Sequence, residues 1–205
     1  MSTGADASAG ADASAGAVLG LGGIWIRDRF LAPAQISSLT GCAHARRARG
    51  DFAAARIGNN AGLQRRADIR GDLICWLREP LYPAERILLE ELDRLRLELN
   101  REAFLGLFEL ELHYAWYPPG AGYARHLDQP HGSTQRKVSL ALYLNMEWEP
   151  LAGGALRLFD AGDRMQDIEP IAGRLVCFPT PGREHAVLPA RRDRLSISGW
   201  FRARD

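Results

Sequence analysis

The chain has 205 residues, of which 46% are hydrophobic, and this is enough for one globular domain with a buried core. Its 26 basic and 25 acidic residues are mixed along the chain and leave a formal net charge of +1. This balance gives no electrostatic footprint for a nucleic-acid backbone or an anionic membrane, so neither is an expected partner. No apolar run approaches the length of a membrane span.

The three cysteines, Cys42, Cys75 and Cys177, are odd in number and far apart in the sequence. They form no CxxC pair, so neither a disulfide framework nor a thiolate zinc site is indicated. Asp6 and Asp12 precede the apolar stretch 17–26, where a secretory signal would carry Lys or Arg. We therefore expect a protein of the reducing cytoplasm.

A low-complexity repeat begins the chain: GADASA occurs at residues 4–9 and again at 10–15. Units of Gly, Ala, Ser and Asp cannot bury enough apolar surface to offset the entropy lost on ordering them. We therefore predict a disordered tail over residues 1–20 and a single domain over residues 21–205.

Short strands and helices make up the first part of this domain. IWIRDRFL predicts a short strand, and Pro33 then opens a helix that carries Ile36 and Leu39 on its buried side. DFAAARI and DIRGDLICWL predict two strands joined by a Gly/Asn loop. Pro83 starts the longest helix, in which Leu and Ile recur at helical spacing opposite acids and arginines.

After Gly106 the hydrophobic period changes to two. Gly, Pro and Asp turns separate eight strand candidates, which are FELELHYAWY, YARHLD, KVSLALYLN, GALRLF, DIEPI, RLVCFPT, HAVLPA and RLSISGWF. Helices followed by a run of mostly antiparallel strands predict an α+β fold. The expected core is a two-sheet β-sandwich or jelly roll with the long helix on an outer face.

The stretch ARHLDQPHG at 124–132 places a histidine and an aspartate two positions apart at the end of a strand. Residues i and i+2 of a strand point to one face, so His126 and Asp128 project together. Taken alone, His126 and Asp128 fit a local ion pair as well as they fit a metal site. His185, which opens the strand HAVLPA, would complete a set of two histidines and one carboxylate. That set suits non-haem Fe(II), and zinc could use the same residues.

The other three histidines are weaker ligand candidates. His44 lies on the polar part of a helix, His113 lies within an alternating strand, and His131 lies in a Pro/Gly turn.

Arg194 follows His185 by nine residues. If HAVLPA and RLSISGW form an antiparallel hairpin that turns at 190–193, Arg194 lies beside the strand of His185. Ser196 and Ser198 alternate with it on one face. A guanidinium there can clamp a carboxylate through two hydrogen bonds, although a surface charge at the edge of a turn would fit as well.

These residues belong to a longer series of ordered motifs. The motifs are DIRGD-x-x-x-W (68–76), YP-x-x-x-GY-x-RH-x-D-x-P (117–130), YLN-x-x-W (143–148), GG-x-LR-x-F (153–159), IEP (168–170) and H-x(8)-R-x-x-I-x-x-W (185–200). From Ile69 to Phe201 the sequence resembles the Fe(II)/2-oxoglutarate-dependent prolyl 4-hydroxylase family. It is most similar to the hypoxia-inducible-factor-type prolyl hydroxylase domains and their bacterial relatives.

The resemblance implies a double-stranded β-helix (jelly-roll) core with supporting N-terminal helices. It also implies that Fe(II) is held by the triad of His126, Asp128 and His185. These three residues and Arg194 make up the implied catalytic set. Arg194 would bind the distal carboxylate of 2-oxoglutarate, and Tyr117 and Tyr143 would donate hydrogen bonds near it.

Substrate-binding residues are implied at the mouth of the site. They are Arg136, Trp200 and Asp72, with Asp72 expected to pair with Arg136. The apolar lining that keeps water from the oxidant is expected from Leu140, Leu142, Leu156 and Val187.

The implied reaction hydroxylates a prolyl residue of a protein and releases succinate and CO2. O2 is the second cosubstrate, and ascorbate is a candidate reductant. The expected partner is a proline-containing protein or peptide, with a translation-related target favoured over transcription factors and collagen-like chains. Two alternatives remain open: a hydroxylase of a free amino acid or small metabolite, and a non-catalytic 2-oxoglutarate- or metal-binding module, including a cupin-like zinc protein.

Overall fold

The structure, a computed structural model, describes residues 13–56, 66, 68–129 and 134–204. Its α-helices are α1 (Ala15–Gly20), α2 (Pro33–Ala48) and α3 (Pro83–Ala103), and a short 3-10 helix spans Pro150–Ala152. Its strands are β1 (Trp25–Arg27), β2 (Ala53–Ala54), β3 (Leu73–Trp76), β4 (Leu107–Tyr117), β5 (Tyr123–His126), β6 (Arg136–Tyr143), β7 (Leu156–Phe159), β8 (Met165–Ile168), β9 (Leu175–Pro179), β10 (His185–Val187) and β11 (Arg194–Ala203).

The strands form two antiparallel sheets. The large sheet has the order β1-β9-β6-β11-β4-β3-β2, and the small sheet has the order β5-β10-β7-β8. All eight strands predicted after Gly106 are present, although β8 begins two residues before DIEPI. The predicted jelly-roll core with N-terminal helices is confirmed.

The helices cover the outer face of the large sheet. α3 has buried leucines at Leu88, Leu92, Leu95 and Leu99, which recur every three or four residues and therefore form one stripe. This stripe packs in one core with buried residues of β4, β6 and β11. The inner face of the large sheet is thereby left to face the small sheet. Among the described residues, no helix combines the length and the apolarity needed to cross a bilayer.

A buried ion pair joins the helices to the large sheet. Arg46 of α2 donates from Nε and from a terminal nitrogen to the two carboxylate oxygens of Glu85 in α3, each at 2.7 Å. The hydroxyl of Tyr114 in β4 donates to the same carboxylate at 3.0 Å, and the backbone N–H of Tyr82 donates to it at 2.9 Å. The carboxylate is therefore fully satisfied despite its burial.

The predicted tail is wrong for residues 15–20, which form α1. Ala15 and Leu19 are buried against the C-terminal part of α3, and Gly16 lies so close to Glu102 that a Cβ would not fit. Ser14 caps the helix by accepting from the N–H of Ala17 at 3.2 Å, and it donates to Glu102. The composition of the repeat could not predict this helix, because the apolar surface against which α1 is buried belongs to α3. Residues 1–12 of the predicted tail and the Gly/Asn loop at 57–65 lie outside the described residues.

Candidate active site

Three candidate metal ligands meet at the inner side of the small sheet. His126 ends β5, Asp128 follows it by two residues, and His185 begins β10 directly opposite His126. Asp128 Oδ1 lies 3.6 Å from Nε2 of His126, and Asp128 Oδ2 lies 3.4 Å from Nε2 of His185. One ligand atom from each residue lies within 4.8 Å of the others. This spacing allows all three to bind a single metal ion.

The contacts around the triad fit a metal site as well. Nδ1 of His126 lies 2.7 Å from the carbonyl oxygen of Ala124, and Nδ1 of His185 lies 3.2 Å from that of Arg183. A carbonyl oxygen can only accept, so each Nδ1 carries the proton and each Nε2 is left free to bind a metal. Ser139 donates to Asp128 Oδ2 at 2.8 Å and so orients the carboxylate.

The charges of the triad suit a divalent cation. Burial acts to raise the pKa of Asp128, but the neighbouring imidazoles of His185 and His126 outweigh it and hold that pKa well below the usual range. Burial also lowers the pKa of His126, which favours the neutral imidazole that a metal requires. The pKa of His185 is instead raised, because the Asp128 carboxylate beside it outweighs burial. The cluster therefore presents a carboxylate anion beside one imidazole with a lowered pKa and one with a raised pKa.

Arg194 lies on the opposite wall of the pocket. It begins β11, its exposed fraction is 2%, and its Nε donates to the carbonyl oxygen of Gly154 at 2.8 Å. Its guanidinium lies 5.1 Å from the ring centroids of both Tyr117 and Tyr143. No carboxylate of the described residues forms an ion pair with it, and within the same ranges the buried hydroxyl of Tyr143 has no hydrogen-bond partner. A buried cation beside an unsatisfied hydroxyl matches a carboxylate ligand.

The predicted hairpin between β10 and β11 is wrong. β10 pairs with β5 and β7 in the small sheet, whereas β11 pairs with β4 and β6 in the large sheet. Residues 188–193 therefore cross between the sheets, and hydrogen bonds of Leu188 to Ala155 and of Gly120 to Ala190 hold this segment. As a result, the triad comes from the small sheet, while Arg194 and the two tyrosines come from the large sheet. The predicted row of Arg194, Ser196 and Ser198 is confirmed.

The apolar lining differs from the prediction on β6. Leu156 and Val187 border the pocket. Leu140 also borders it but belongs to the core beneath the helices, and Leu142 lies in that core without reaching the pocket. Successive residues of a strand face opposite sides, so Leu142 and Tyr143 cannot both face the pocket. Ala141 and Phe178 contribute to the lining instead.

Arg136 and Trp200, both predicted to border the substrate mouth, lie against each other. The Arg136 guanidinium lies 3.4 Å from the centroid of the Trp200 ring and donates to the Asp128 carbonyl oxygen at 2.8 Å. The predicted pair of Asp72 with Arg136 is wrong. Asp72 is bound by Arg70 at 2.8 Å, which reaches it within the same turn, and Arg136 binds Glu111 at 3.1 Å.

His113 is a pocket residue that the sequence motifs did not indicate. Its ring contacts those of Trp200 and Trp76, with centroid distances of 5.6 and 5.0 Å, and the two tryptophan rings are 6.4 Å apart. Burial lowers its pKa to about 4, so the ring is neutral at pH 7. Within the described ranges, His113 Nδ1 and Trp200 Nε1 are buried without a partner. The alternation of side chains along β4 could have indicated His113, because His113 and Tyr117 are four residues apart and so share a face.

Of the remaining histidines, His44 contacts Trp116 on the helix side, with ring centroids 5.0 Å apart. His131 lies outside the described residues.

Comparison with known proteins agrees with this geometry. Residues 112–202 match the 2OG-Fe(II) oxygenase superfamily. The fold is similar to that of a Pseudomonas putida prolyl-4-hydroxylase, with a TM-score of 0.82 and 41% identity over 91% of this chain and 96% of the other. It is also similar to a Trichoplax adhaerens prolyl hydroxylase in complex with a hypoxia inducible factor peptide fragment, with a TM-score of 0.81 and 28% identity over 90% of this chain and 85% of the other.

Human Egl nine homolog 1 is 37% identical over 144 residues, which are 65% of this chain and 33% of the human protein. The human prolyl hydroxylase EGLN3 is 36% identical over 154 residues, which are 70% of this chain and 63% of that protein. The chain thus spans less than two thirds of the length of these curated relatives. These similarities show that the chain belongs to the prolyl 4-hydroxylase family of 2OG-Fe(II) oxygenases, whose reaction uses Fe(II), 2-oxoglutarate and O2.

Proposed function

We propose that the chain hydroxylates a prolyl residue of a protein or peptide, with 2-oxoglutarate and O2 as cosubstrates. The observation that carries the proposal is one pocket in which a metal-ligand triad faces a buried arginine that has no carboxylate partner among the described residues. Bound Fe(II) and 2-oxoglutarate supply the oxidising chemistry, with succinate and CO2 as co-products.

The triad holds the metal from one side. Two histidines and one carboxylate would hold an Fe(II) ion, which would supply the oxidising chemistry together with the cosubstrates. The carbonyl oxygens of Ala124 and Arg183 fix the orientation of the two rings, and Ser139 fixes the carboxylate of Asp128. The protein thus presents all three donors in place before the metal arrives.

Arg194 binds the distal carboxylate of 2-oxoglutarate from the other side. Its Nε is engaged by Gly154, so its terminal nitrogens provide the hydrogen bonds to the ligand. The hydroxyl of Tyr143, which has no hydrogen-bond partner within the described ranges, donates a further bond, and burial raises the pKa of that hydroxyl and so keeps its proton in place. Leu156, Val187 and Phe178 exclude water between the two subsites.

A cluster of three rings supports a polypeptide rather than a free amino acid as the substrate. Trp200 and His113 are buried and line the same pocket as the triad, and Trp76 contacts both of them with 36% of its surface exposed. Such a cluster offers contacts beyond a single residue. Trp200 Nε1–H and His113 Nδ1, which lack partners in the part of the chain that the structure describes, suit main-chain groups of a peptide.

Within this class we favour a translation-related target in the cytoplasm. The identity of 41% to the Pseudomonas putida enzyme, against 28% to the Trichoplax adhaerens enzyme, supports a bacterial type of target. The cysteines Cys42, Cys75 and Cys177 are free, which supports a reducing compartment.

The test is turnover of the purified protein with Fe(II), 2-oxoglutarate and proline-containing peptides. We expect succinate to form in step with the gain of one oxygen atom on a prolyl residue, measured by mass spectrometry. Oxygen transfer to free proline or another small molecule, with peptides left unchanged, would favour the metabolite hydroxylase. Binding of 2-oxoglutarate without any succinate would favour the non-catalytic module. Comparing cellular proteins with and without the enzyme then identifies the target.

A further inference from the structure

We propose that Tyr123 is a positioning residue for His126, and that a β-bulge in β5 brings the two rings together. The inference rests on the proposed function, in which His126 is a metal ligand. The Tyr123 ring stacks on the His126 imidazole, with centroids 3.4 Å apart and planes at 13°. This is a close, nearly parallel contact between a candidate ligand and a ring that has no metal-binding role of its own.

Regular strand geometry would prevent this contact. Tyr123 and His126 are three residues apart, so alternation alone places them on opposite faces of β5. The register with β10 shows why they meet: His126 is opposite His185 and Tyr123 is opposite Val187. Three steps along β5 thus match two steps along β10, which means that β5 contains one extra residue. An extra residue of this kind is a β-bulge, and bulges commonly re-aim side chains next to active sites.

The bulge also changes what its own residues contact. The carbonyl oxygen of Ala124 turns to Nδ1 of His126 at 2.7 Å, while the N–H of Ala124 donates to Ile69 at 2.8 Å. The side chain of Arg125 points away from the pocket to Glu184, to which its Nε donates at 2.8 Å. The hydrogen bond from Ala124 and the ring of Tyr123 therefore act on the same imidazole.

The outer face of Tyr123 is held in turn by Arg70. Its guanidinium lies 4.7 Å from the Tyr123 centroid, and it is fixed by Asp72 at 2.8 Å. The imidazole of His126 is thus restrained in two independent ways. The hydrogen bond fixes which ring nitrogen faces the metal, and the stack fixes the plane of the ring. A ligand oriented in advance loses less freedom when the metal binds.

The experiment measures the affinity for Mn²⁺ alone, without 2-oxoglutarate or peptide, by titration of the purified protein. Tyr123→Leu should weaken Mn²⁺ binding about tenfold, as substitutions of the groups that orient metal ligands do. Tyr123→Phe keeps the ring and should bind as the wild type does. Arg125→Ala alters the same bulge on its outward side and should also leave Mn²⁺ affinity unchanged. The melting temperature of each metal-free variant checks that it is folded.

Wild-type affinity in Tyr123→Leu, with His126→Ala defective, would overturn the inference and leave the proposed metal site standing. A defect in Tyr123→Phe as large as in Tyr123→Leu would also overturn it, because the hydroxyl and not the stack would then matter. Wild-type affinity in His126→Ala would instead refute the metal site of the proposed function.

Discussion

The pocket contains charges that the protein itself balances only in part. Asp128 lies between two imidazoles, whereas Arg194 has no carboxylate partner among the described residues. Substitutions of single residues should therefore separate the loss of metal from the loss of 2-oxoglutarate. These residue types could be identified from the sequence, because their spacing and motif carry the signal. The residue type alone does not reveal the roles of His113 and Tyr123. His113 reaches the pocket because of the side to which it points in β4, and Tyr123 reaches His126 because of the bulge in β5.

Replacing any one of His126, Asp128 and His185 by Ala should abolish metal binding and 2-oxoglutarate turnover. Each substitution removes one of the three donors that the structure brings within 4.8 Å of one another. Metal titration and succinate formation measure the effect, and circular dichroism checks the fold. Full turnover by His185→Ala would show that the triad is assigned wrongly.

Arg194→Ala should raise the dissociation constant for 2-oxoglutarate at least about tenfold. Charge-assisted hydrogen bonds contribute on the order of 1.5–3 kcal/mol each, and about 1.4 kcal/mol corresponds to one decade of affinity. Arg194→Lys should be intermediate, since it keeps the charge and loses the planar fork. Mn²⁺ affinity should stay unchanged in both variants.

Arg192→Ala is the matched control for Arg194. In the wild type, the guanidinium of Arg192 lies over Trp148 and donates to the carbonyl oxygen of Glu147 at 3.2 Å. We expect wild-type 2-oxoglutarate binding from this variant. Normal binding by Arg194→Ala together with a defect in Arg192→Ala would reverse the assignment of the clamp.

At the scale of elements, the alternation of apolar residues was enough to find β4 to β11. It was not enough to pair them. Consecutive strands separated by a short turn favour a hairpin, yet β10 fits between β5 and β7, and β11 fits between β4 and β6. Pairing and bulges depend on contacts between distant segments, which periodicity along one segment does not record.

The helix α1 gives a prediction that concerns the boundary of the folded domain. Deleting residues 1–12 should leave the melting temperature unchanged, whereas deleting residues 1–20 should lower it by roughly 3–12 °C. The estimate follows from the loss of one buried leucine, about 1.5–3 kcal/mol, in a chain of this size.

Thermal unfolding of two point variants isolates this contribution. Leu19 is 4% exposed and Leu21 is 91% exposed. Leu19→Ala should therefore destabilise the protein, while Leu21→Ala should not. Equal melting temperatures for the wild type and Leu19→Ala would mean that α1 does not stabilise α3.

The ion pair between α2 and α3 predicts a pH-dependent contribution to stability. Burial acts to raise the pKa of Glu85, but hydrogen bonds from Arg46 and the Tyr82 backbone outweigh it and hold the pKa below 4.5. A carboxylate with a lowered pKa stabilises the folded state above its unfolded-state pKa, and this stability is lost as the pH falls through the folded-state value.

Glu85→Gln should therefore cost about 3–5 kcal/mol at neutral pH, since it leaves Arg46 buried without an anion. The difference from the wild type should shrink as the pH falls below 4.5. Urea unfolding over this range measures it. A difference that does not change with pH would show that the charge of Glu85 is not what stabilises the network.

For the molecule as a whole, the layers could be predicted but the distribution of the site between them could not. Helices followed by strands of period two indicate a sandwich covered by helices, and that is the observed architecture. Which strand belongs to which sheet depends on the crossing of residues 188–193. That crossing decides that the triad and Arg194 face each other across the pocket.

Because the triad and Arg194 lie on different sheets, a ligand that binds both would link the two sheets. We propose that 2-oxoglutarate, bound by the metal on the small sheet and by Arg194 on the large sheet, cross-links the two sheets and stabilises only states in which they keep their spacing. Hydrogen exchange should show this in two stages. Mn²⁺ alone should slow exchange in β5 and β10, and 2-oxoglutarate should extend the protection to β6 and β11. Arg194→Ala should keep the protection by Mn²⁺ and lose the further protection by 2-oxoglutarate. Protection of both sheets by Mn²⁺ alone would argue against a cross-link formed by 2-oxoglutarate.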